Sequence, residues 1–226
     1  MGKILFMKPW NVWKERLDEF AEHIWEIGGE IEGVLVMNPA TLQKVEEIEK
    51  KLGVKLPLSF RETLLQFSSK IQFSWSLRED VELIVECPHE YREFSSDFGW
   101  DLDDLFSINR LKNKWIKEYH TNTDDHFSEI WHNKLVFLNV GKGDFLAFDL
   151  KEGPDCPVVY LSRNNTQGHG YLLGKNFIDF MDRWTAIGCP GPALSQIKPF
   201  VTSPTDGLDP NGTFAKKWIN WIGTDD

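Results

Sequence analysis

The sequence predicts a single domain of the α+β class, with a mixed, largely antiparallel sheet flanked by helices. Helical periodicity dominates both ends of the 226-residue chain, and strand patterns dominate its middle. Two of the middle strands are separated by a short glycine turn, which requires antiparallel pairing. A chain of this length can bury about 70% of its unfolded surface, so it needs no disulfide or metal to fold.

The N-terminal extension, residues 1–37, predicts a helix followed by a strand. Over residues 9–27, apolar side chains recur at steps of three and four, which is typical of an amphipathic helix. Gly28 and Gly29 end this helix, and a short strand is predicted over residues 30–37. We expect the extension to pack on the core that follows it.

The predicted core, residues 38–187, begins with two helices and a strand. Thr41 is suited to cap the first helix, and Gly53 is suited to end it in the left-handed conformation. Pro57 fits the first turn of the second helix. Alternation of apolar and polar residues over 71–77 then predicts a strand.

The net charge of −10 is concentrated in an acidic segment, residues 79–104. This segment holds ten acidic residues and one base, Arg92, whereas the residues before it are balanced and those after it carry −1. Apolar and aromatic side chains such as Tyr91 and Phe98 are interspersed among the carboxylates. A disordered acidic tail would lack such anchors, so we predict an ordered insert that presents its carboxylates to solvent.

The remainder of the chain predicts further strands and helices. The elements expected in the second half of the core are a helix (111–119), a hairpin (134–150), a strand (156–161) and a helix (175–184). Residues 188–226 complete the chain and are expected to pack on this core. Their glycine- and proline-rich part, 188–212, is predicted to be loosely ordered, and a short helix is expected over 214–222.

The lack of a recognisable targeting signal and the pattern of cysteines favour a cytoplasmic protein. No apolar run reaches the roughly seven residues of a signal sequence or the roughly twenty of a membrane span. Cys87, Cys156 and Cys189 are odd in number and widely spaced, so reduced thiols are expected. The acidic charge disfavours direct nucleic-acid binding and favours a basic protein partner.

One group of polar residues raises the alternative of a metal-dependent hydrolase. The side chains of types that zinc binds are His120, His126, Glu129 and His132. No pair of these histidines has the four-residue spacing of a helical zinc site. A solvated polar connection is therefore the favoured interpretation, and the metal site is a remote alternative.

Two glycine-containing motifs are interpreted as turns. Gly141 and Gly143 lack the third glycine and the GK[ST] ending of phosphate-binding loops, and a strand follows where such a loop needs a helix. A hairpin turn is therefore predicted at this position. Gly168, His169 and Gly170 are expected to form a mobile loop.

The tryptophans are assigned mainly to the core. Those on apolar helical stripes, expected in the core or at an interface, are Trp10, Trp13, Trp25, Trp184, Trp218 and Trp221. Trp75 falls on the inward alternation of its strand. Trp100, inside the acidic segment, is a candidate anchor for a partner, with packing beneath the insert as the alternative interpretation.

Residues 40–67 resemble the opening signature of the SUKH superfamily. That signature is an acidic helix ending in E-x-x-LG, then LP, then a helix containing an aromatic residue. The matching positions are Glu49, Leu52, Gly53, Leu56, Pro57 and Phe60. The later block of the superfamily, with a Gly-Asp turn between strands and a closing aromatic helix, is similar to residues 136–184, where the matching positions are Gly143, Asp144, Phe177, Phe180 and Trp184.

The resemblance implies a binding domain without catalytic chemistry or cofactors. Many bacterial members of the superfamily are immunity proteins that bind and neutralise a cognate toxin, frequently a nuclease. Fungal relatives regulate cell-wall synthesis through protein interactions. We therefore expect a non-enzymatic immunity protein that blocks a basic nuclease toxin by occlusion, with a regulator or scaffold of cell-wall assembly as the alternative.

The acidic segment is the predicted partner-binding surface. Nucleases that grip phosphates tend to be basic, so an acidic binder can imitate the nucleic acid and steer association. A solvated surface that only confers solubility is the other interpretation. The candidate residues are Glu79, Asp80, Glu82, Glu86, Glu93, Asp97, Trp100, Asp101, Asp103 and Asp104.

Overall fold

The computed structural model describes residues 8–77, 95–164 and 167–223 and confirms the α+β class. The helices are α1 Pro9–Glu26, α2 Leu42–Leu52, α3 Leu58–Gln66, α4 Leu105–Tyr119, α5 His126–Ile130, α6 Phe177–Ala186, α7 Leu194–Ile197 and α8 Thr213–Ile222, with a 3-10 turn at Lys198–Phe200. The strands are β1 Glu30–Val36, β2 Lys70–Ser76, β3 Ser95–Asp101, β4 Lys134–Gly141, β5 Asp144–Asp149, β6 Val158–Leu161 and β7 Leu172–Gly174.

The strands of the described residues are divided between two antiparallel sheets. One has the order β1-β2-β3 and the other the order β4-β5-β6-β7. In the first sheet, the buried Phe73 of β2 lies opposite Val34 of β1 and Phe98 of β3. Because alternate side chains of a strand share a face, these residues build one apolar face. The apolar faces of the two sheets contribute to one core together with α1, α3 and α6.

The corner between α2 and α3 is organised by a buried carboxylate. Glu49 is only 3% exposed, and its oxygens accept from the backbone N–H of Leu56 at 3.1 Å and from Lys55 Nζ at 2.6 Å. Arg61 Nε adds a third contact at 3.3 Å. Burial opposes ionisation, but the hydrogen bonds and positive charges outweigh it and hold the pKa of Glu49 below its usual value. The predicted Thr41 cap is also present, since its hydroxyl accepts from the backbone N–H three residues later.

Phe60 of α3 lies at the centre of the aromatic core. Its ring centroid is 6.4 Å from that of Trp100 in β3 and 5.1 Å from that of Phe148 in β5. It is also 4.7 Å from the ring of Phe177 in α6. A single side chain therefore contacts both sheets and the closing helix of the core.

The predicted hairpin between β4 and β5 is confirmed. Lys142 and Gly143 have φ angles of 49° and 93°, the positive values that a two-residue type I′ turn requires. A Cβ at Gly143 would lie 1.9 Å from a ring atom of Trp115, so the site also needs the absence of a side chain. The carboxylate of Asp144 then accepts from the hydroxyl of Tyr160 at 2.8 Å. The Gly-Asp pair thus fixes both the turn and the neighbouring strand.

The segments before and after the core meet at β2. Trp75 points inward as predicted, and its ring is 5.3 Å from that of Phe20 in α1. The ring of Trp218 in α8 also stacks on that of Trp75, with ring centroids 6.2 Å apart. The N-terminal and C-terminal helices are therefore joined to the core through one buried tryptophan.

The segment 188–212 is packed, so the expectation that it is loosely ordered is wrong. The carbonyl oxygen of Cys189 accepts from Trp75 Nε1 at 2.9 Å, and that of Pro190 accepts from Trp184 Nε1 at 2.8 Å. Most of residues 188–193 are buried. The glycine and proline content did not predict this order. The order comes from hydrogen bonds to tryptophans that are distant in the sequence or lie on another element.

The thiols that the structure describes are free and buried. Cys156 and Cys189 form no disulfide, and burial raises the pKa of both. Cys87 lies outside the described residues. Among the elements that were not predicted, α5 and β7 have only five and three residues, too few to give a clear periodic pattern.

We predict that Phe60→Ala lowers the free energy of unfolding by about 3–5 kcal/mol, because it leaves a cavity between the two sheets. The matched control is Leu58→Ala in the same helix, since Leu58 is 57% exposed and its truncation should change stability by less than about 0.5 kcal/mol. Urea unfolding of the two variants makes the comparison. A loss below about 1 kcal/mol for Phe60→Ala would contradict the central position of this ring.

Candidate partner-binding surface

Four of the predicted carboxylates lie together on β3 and on the turn into α4. We call Asp97, Asp101, Asp103 and Asp104 the β3–α4 acidic surface. Asp97, Asp103 and Asp104 are exposed, and Asp101 is half-buried. The other candidate carboxylates, which lie outside the described residues, are Glu79, Asp80, Glu82, Glu86 and Glu93.

The alternation of β3 directs these carboxylates away from the core. Ser96, Phe98 and Trp100 are buried, whereas Asp97 is exposed on the opposite face of the strand. Register with β2 places Asp97 opposite Ser74, whose hydroxyl donates to the Asp97 carboxylate at 3.0 Å. The apolar residues of the segment therefore hold β3 in place while its acidic residues face solvent.

Trp100 is buried in the core, which agrees with the interpretation that it packs beneath the insert and not with its use as an exposed anchor. The residue is 3% exposed, and its ring centroid lies 5.3 Å from that of Phe177. Its indole Nε1 donates to the carbonyl oxygen of Ser68 at 3.1 Å. Because the ring of Trp100 packs in the core and its N–H is hydrogen-bonded there, its role is to hold β3 against the core.

Two of the four carboxylates are already paired with lysines. Lys70 Nζ lies 2.9 Å from Asp101, and Lys44 forms an ion pair with Asp103. The hydrogen bond and the charge of Asp101 raise the pKa of Lys70, and those of Asp103 raise the pKa of Lys44. Asp97 and Asp104 have no ion pair within the described ranges. The charge open to a partner here is therefore smaller than the sequence count suggests.

A groove of about 220 Å³ lies beside these carboxylates. It is found where β3, at the edge of the first sheet, approaches β4, at the edge of the second. The polar residues that line it are Lys70, Gln72, Asp97, Asp101, Asp104 and Asn139. With three carboxylates and one lysine in its wall, the groove suits the cationic side chain of a partner, such as arginine or lysine.

A basic surface on α4, the helix that follows the acidic residues, was not predicted from the sequence. Arg110, Lys114 and Lys117 are all exposed, at spacings of four and three that place them on one side of the helix. Glu118 is the one acidic residue within α4. The near-neutral net charge of residues 105–226 conceals this surface, whereas the helical spacing of its bases would have revealed it.

The histidines proposed as metal ligands either make contacts that stabilise the fold or lie exposed at the surface. His132 Nε2 contacts the carbonyl oxygen of His120 at 2.8 Å, and His120 Nδ1 lies 3.4 Å from the hydroxyl of Ser128. His126 and Glu129 are 3.8 Å apart on the exposed side of α5. Within the described part of the chain, no three His, Cys, Asp or Glu residues are grouped to hold a metal ion. The geometry of these residues gives the metal hypothesis no support.

His169 is buried, so the expectation of a mobile loop at this position is wrong. Its Nδ1 accepts from the backbone N–H of Ser162 at 3.0 Å, and its Nε2 donates to the carbonyl oxygen of Phe127 at 3.0 Å. The ring also stacks on that of Phe127, with centroids 4.2 Å apart. Burial lowers the pKa of His169 to about 4, so the ring is neutral at pH 7.

Trp25 is exposed, so of the two expectations for it, the core or an interface, the core is wrong. It is 72% exposed because the buried stripe of α1 runs through Phe20 and Ile24, and Trp25 is turned about 100° away from Ile24. The other tryptophans assigned to helical stripes are buried. None of the helices in the described ranges combines the length and apolar character needed to cross a membrane.

The fold is an α+β scaffold in which a capped helix pair, two antiparallel sheets and an aromatic helix share one core. The chain belongs to the SMI1/KNR4 family (SUKH-1), whose sequence model matches residues 39–183. The matched region begins before α2 and ends within α6, so it includes the β3–α4 acidic surface. Helix α1 and strand β1 precede it, and α7 and α8 follow it.

The chain is also similar to a curated bacterial protein. It is 31% identical over 117 residues to the Uncharacterized protein YnaB of Bacillus subtilis strain 168. This alignment covers 45% of the present chain and 80% of the relative. The similarity therefore extends over most of that protein and less than half of this one.

We predict that His169 makes the fold sensitive to acid. Its pKa in the folded state, about 4, is below the ordinary 6.5, so its stabilisation is complete above pH 6.5 and is lost as the pH falls towards 4. Between pH 7 and 4.5 this loss amounts to about 2–3 kcal/mol. In His169→Gln that part of the pH dependence should disappear from urea unfolding curves.

The control for this prediction is His126→Gln. The side chain of His126 is 86% exposed, so this variant should show the same pH dependence as the wild type. An equal loss of stability with acid in wild type and His169→Gln would contradict the role given to the buried ring.

Proposed function

We propose that this chain is a non-enzymatic immunity protein that acts in the cytoplasm and neutralises a cognate bacterial toxin by occlusion. The observation that carries the proposal is the β3–α4 acidic surface on a scaffold of the SMI1/KNR4 family (SUKH-1). Asp97 and Asp104 are the carboxylates of this surface without an ion pair in the described residues, and both line the groove. They are therefore available to a positively charged partner.

The proposed partner is a basic protein, in particular a nuclease toxin. Nucleases use lysine and arginine to hold phosphates, so their active-site clefts attract carboxylates as well. Docking of such a cleft on the acidic surface would exclude the nucleic acid, and opposite charges would accelerate the encounter.

Occlusion requires no catalytic group in this chain. Contacts with neighbouring side-chain or backbone groups engage both ring nitrogens of the buried His169 and the Nδ1 of the buried His120. Burial lowers the pKa of both rings, which favours their neutral form. The ring nitrogens engaged in these contacts serve the fold, which is consistent with a chain that acts by binding.

The test of this function is protection in a living cell. The basic C-terminal domain of a toxin encoded beside this chain would be produced in a bacterial host, with or without the protein. We expect growth to be rescued and the toxin to be inhibited at a 1:1 molar ratio in vitro. Rescue at far lower than equimolar protein would indicate catalysis, and copurification with a cell-wall synthase or kinase would support the regulator alternative.

We predict that Asp97→Lys combined with Asp104→Lys slows toxin association about tenfold at low salt, because it reverses the two carboxylates that have no lysine partner. The rate constant is measured by surface plasmon resonance at several ionic strengths. The difference from the wild type should shrink as salt screens the charges.

The matched control combines Glu15→Lys with Glu22→Lys, which changes the net charge equally on an exposed face of α1. Asp104 also precedes the N-terminus of α4, where a carboxylate interacts favourably with the helix dipole, so unfolding midpoints are recorded for both variants. If the control slows association as much as the β3–α4 variant, net charge and not this surface steers the toxin.

A further inference from the structure

We propose that a cleft between α2, α4 and β4 binds a small oxyanion of the phosphate type. The cleft has a volume of about 240 Å³ and is separate from the acidic groove. The basic and amide side chains that line it are Lys51, Asn109, Arg110, Lys112, Asn113 and Lys134. Its other described lining residues are apolar, so no carboxylate of the described chain lines it.

The buried ammonium group of Lys112 is the central observation. Lys112 is only 5% exposed, and its Nζ donates one hydrogen bond, to the carbonyl oxygen of Lys134 at 2.7 Å. An ammonium group has three N–H donors, and within the described residues this one has no carboxylate partner. Buried charges are almost always paired in folded proteins, so the missing counter-ion indicates a ligand.

The second lysine of the cleft differs from Lys112 because it has a partner. Lys134 Nζ lies 3.1 Å from Asp149 and donates to the carbonyl oxygen of His132 at 3.2 Å. Its charge is thereby compensated, and Asp149 is occupied by it. Lys112 is left beside a second cation, and burial together with Lys134 lowers the pKa of Lys112 to about 8.

The rim of the cleft supplies further donors for an anion. Arg110 and Lys51 are exposed, and Asn113 is exposed one residue beyond Lys112 in α4. An oxyanion with several acceptor atoms can bond an ammonium, a guanidinium and an amide at the same time. The volume is below that of a typical drug-sized pocket, about 300 Å³ or more, so the phosphate group and not a whole nucleotide fits inside.

The test is thermal unfolding of the full chain at pH 7 in increasing inorganic phosphate, against sodium chloride at equal ionic strength. We expect a saturable rise in the unfolding midpoint with phosphate, because a ligand of the folded state stabilises it. Lys112→Met should weaken the apparent phosphate affinity about ten- to hundredfold, since a charged hydrogen bond and a counter-ion are lost. Arg110→Gln should weaken it less.

The matched control is Lys114→Met on the same helix, where the lysine is exposed and outside the cleft. This variant should bind phosphate as the wild type does. An equal response to phosphate and chloride in the wild type, or an unchanged affinity in Lys112→Met, would overturn the proposal.

A second measurement follows the ligand at the lysine itself. The pKa of Lys112, read from the chemical shift of its Cε carbon, should rise from about 8 towards the ordinary 10.5 when phosphate saturates the cleft. An unchanged pKa would contradict binding at this site. Repeating the titration with glycerol phosphate identifies the kind of oxyanion. Binding of glycerol phosphate would indicate a cleft for phosphate monoesters, and failure to bind would indicate a cleft for free phosphate. Either result supports an oxyanion site.

Discussion

The packing of Phe60 against both sheets is the constraint on which the rest of the molecule depends. The buried carboxylate of Glu49 sets the corner between α2 and α3, and this corner places Phe60 where it contacts Trp100, Phe148 and Phe177. Because Trp100 is fixed in the core, the alternate residues of β3 must face outward. The aromatic core thus determines where the acidic surface lies.

The charge of the protein is organised locally and not spread over its surface. Lysines of α2 and β2 compensate Asp101 and Asp103, so Asp97 and Asp104 carry the open negative charge of the described surface. Helix α4 begins at this surface and presents bases along its length. A partner would therefore meet an acidic groove beside a basic helix, which can define its orientation as well as its rate of association.

Local signals in the sequence were sufficient for much of the fold. The Thr41 cap, the left-handed Gly53 and the turn at Lys142 act over a few residues, and each was predicted or follows from the hairpin motif. Features that depend on distant partners were not accessible in this way. The contact partners of the buried Trp100 and the order of residues 188–212 both come from contacts between elements far apart in the sequence.

The candidate site likewise combines features that the sequence predicts with features that depend on tertiary contacts. Its carboxylates were identified from composition, but their pairing with Lys70 and Lys44 depends on strand register and on how α2 packs beside the turn.

Hydrogen–deuterium exchange of the protein, alone and bound to the adjacent-gene toxin domain, measures whether the β3–α4 acidic surface is where the toxin docks. We expect slower exchange over residues 95–104 in the complex. Unchanged exchange there, with protection confined to α1 and α8, would contradict it.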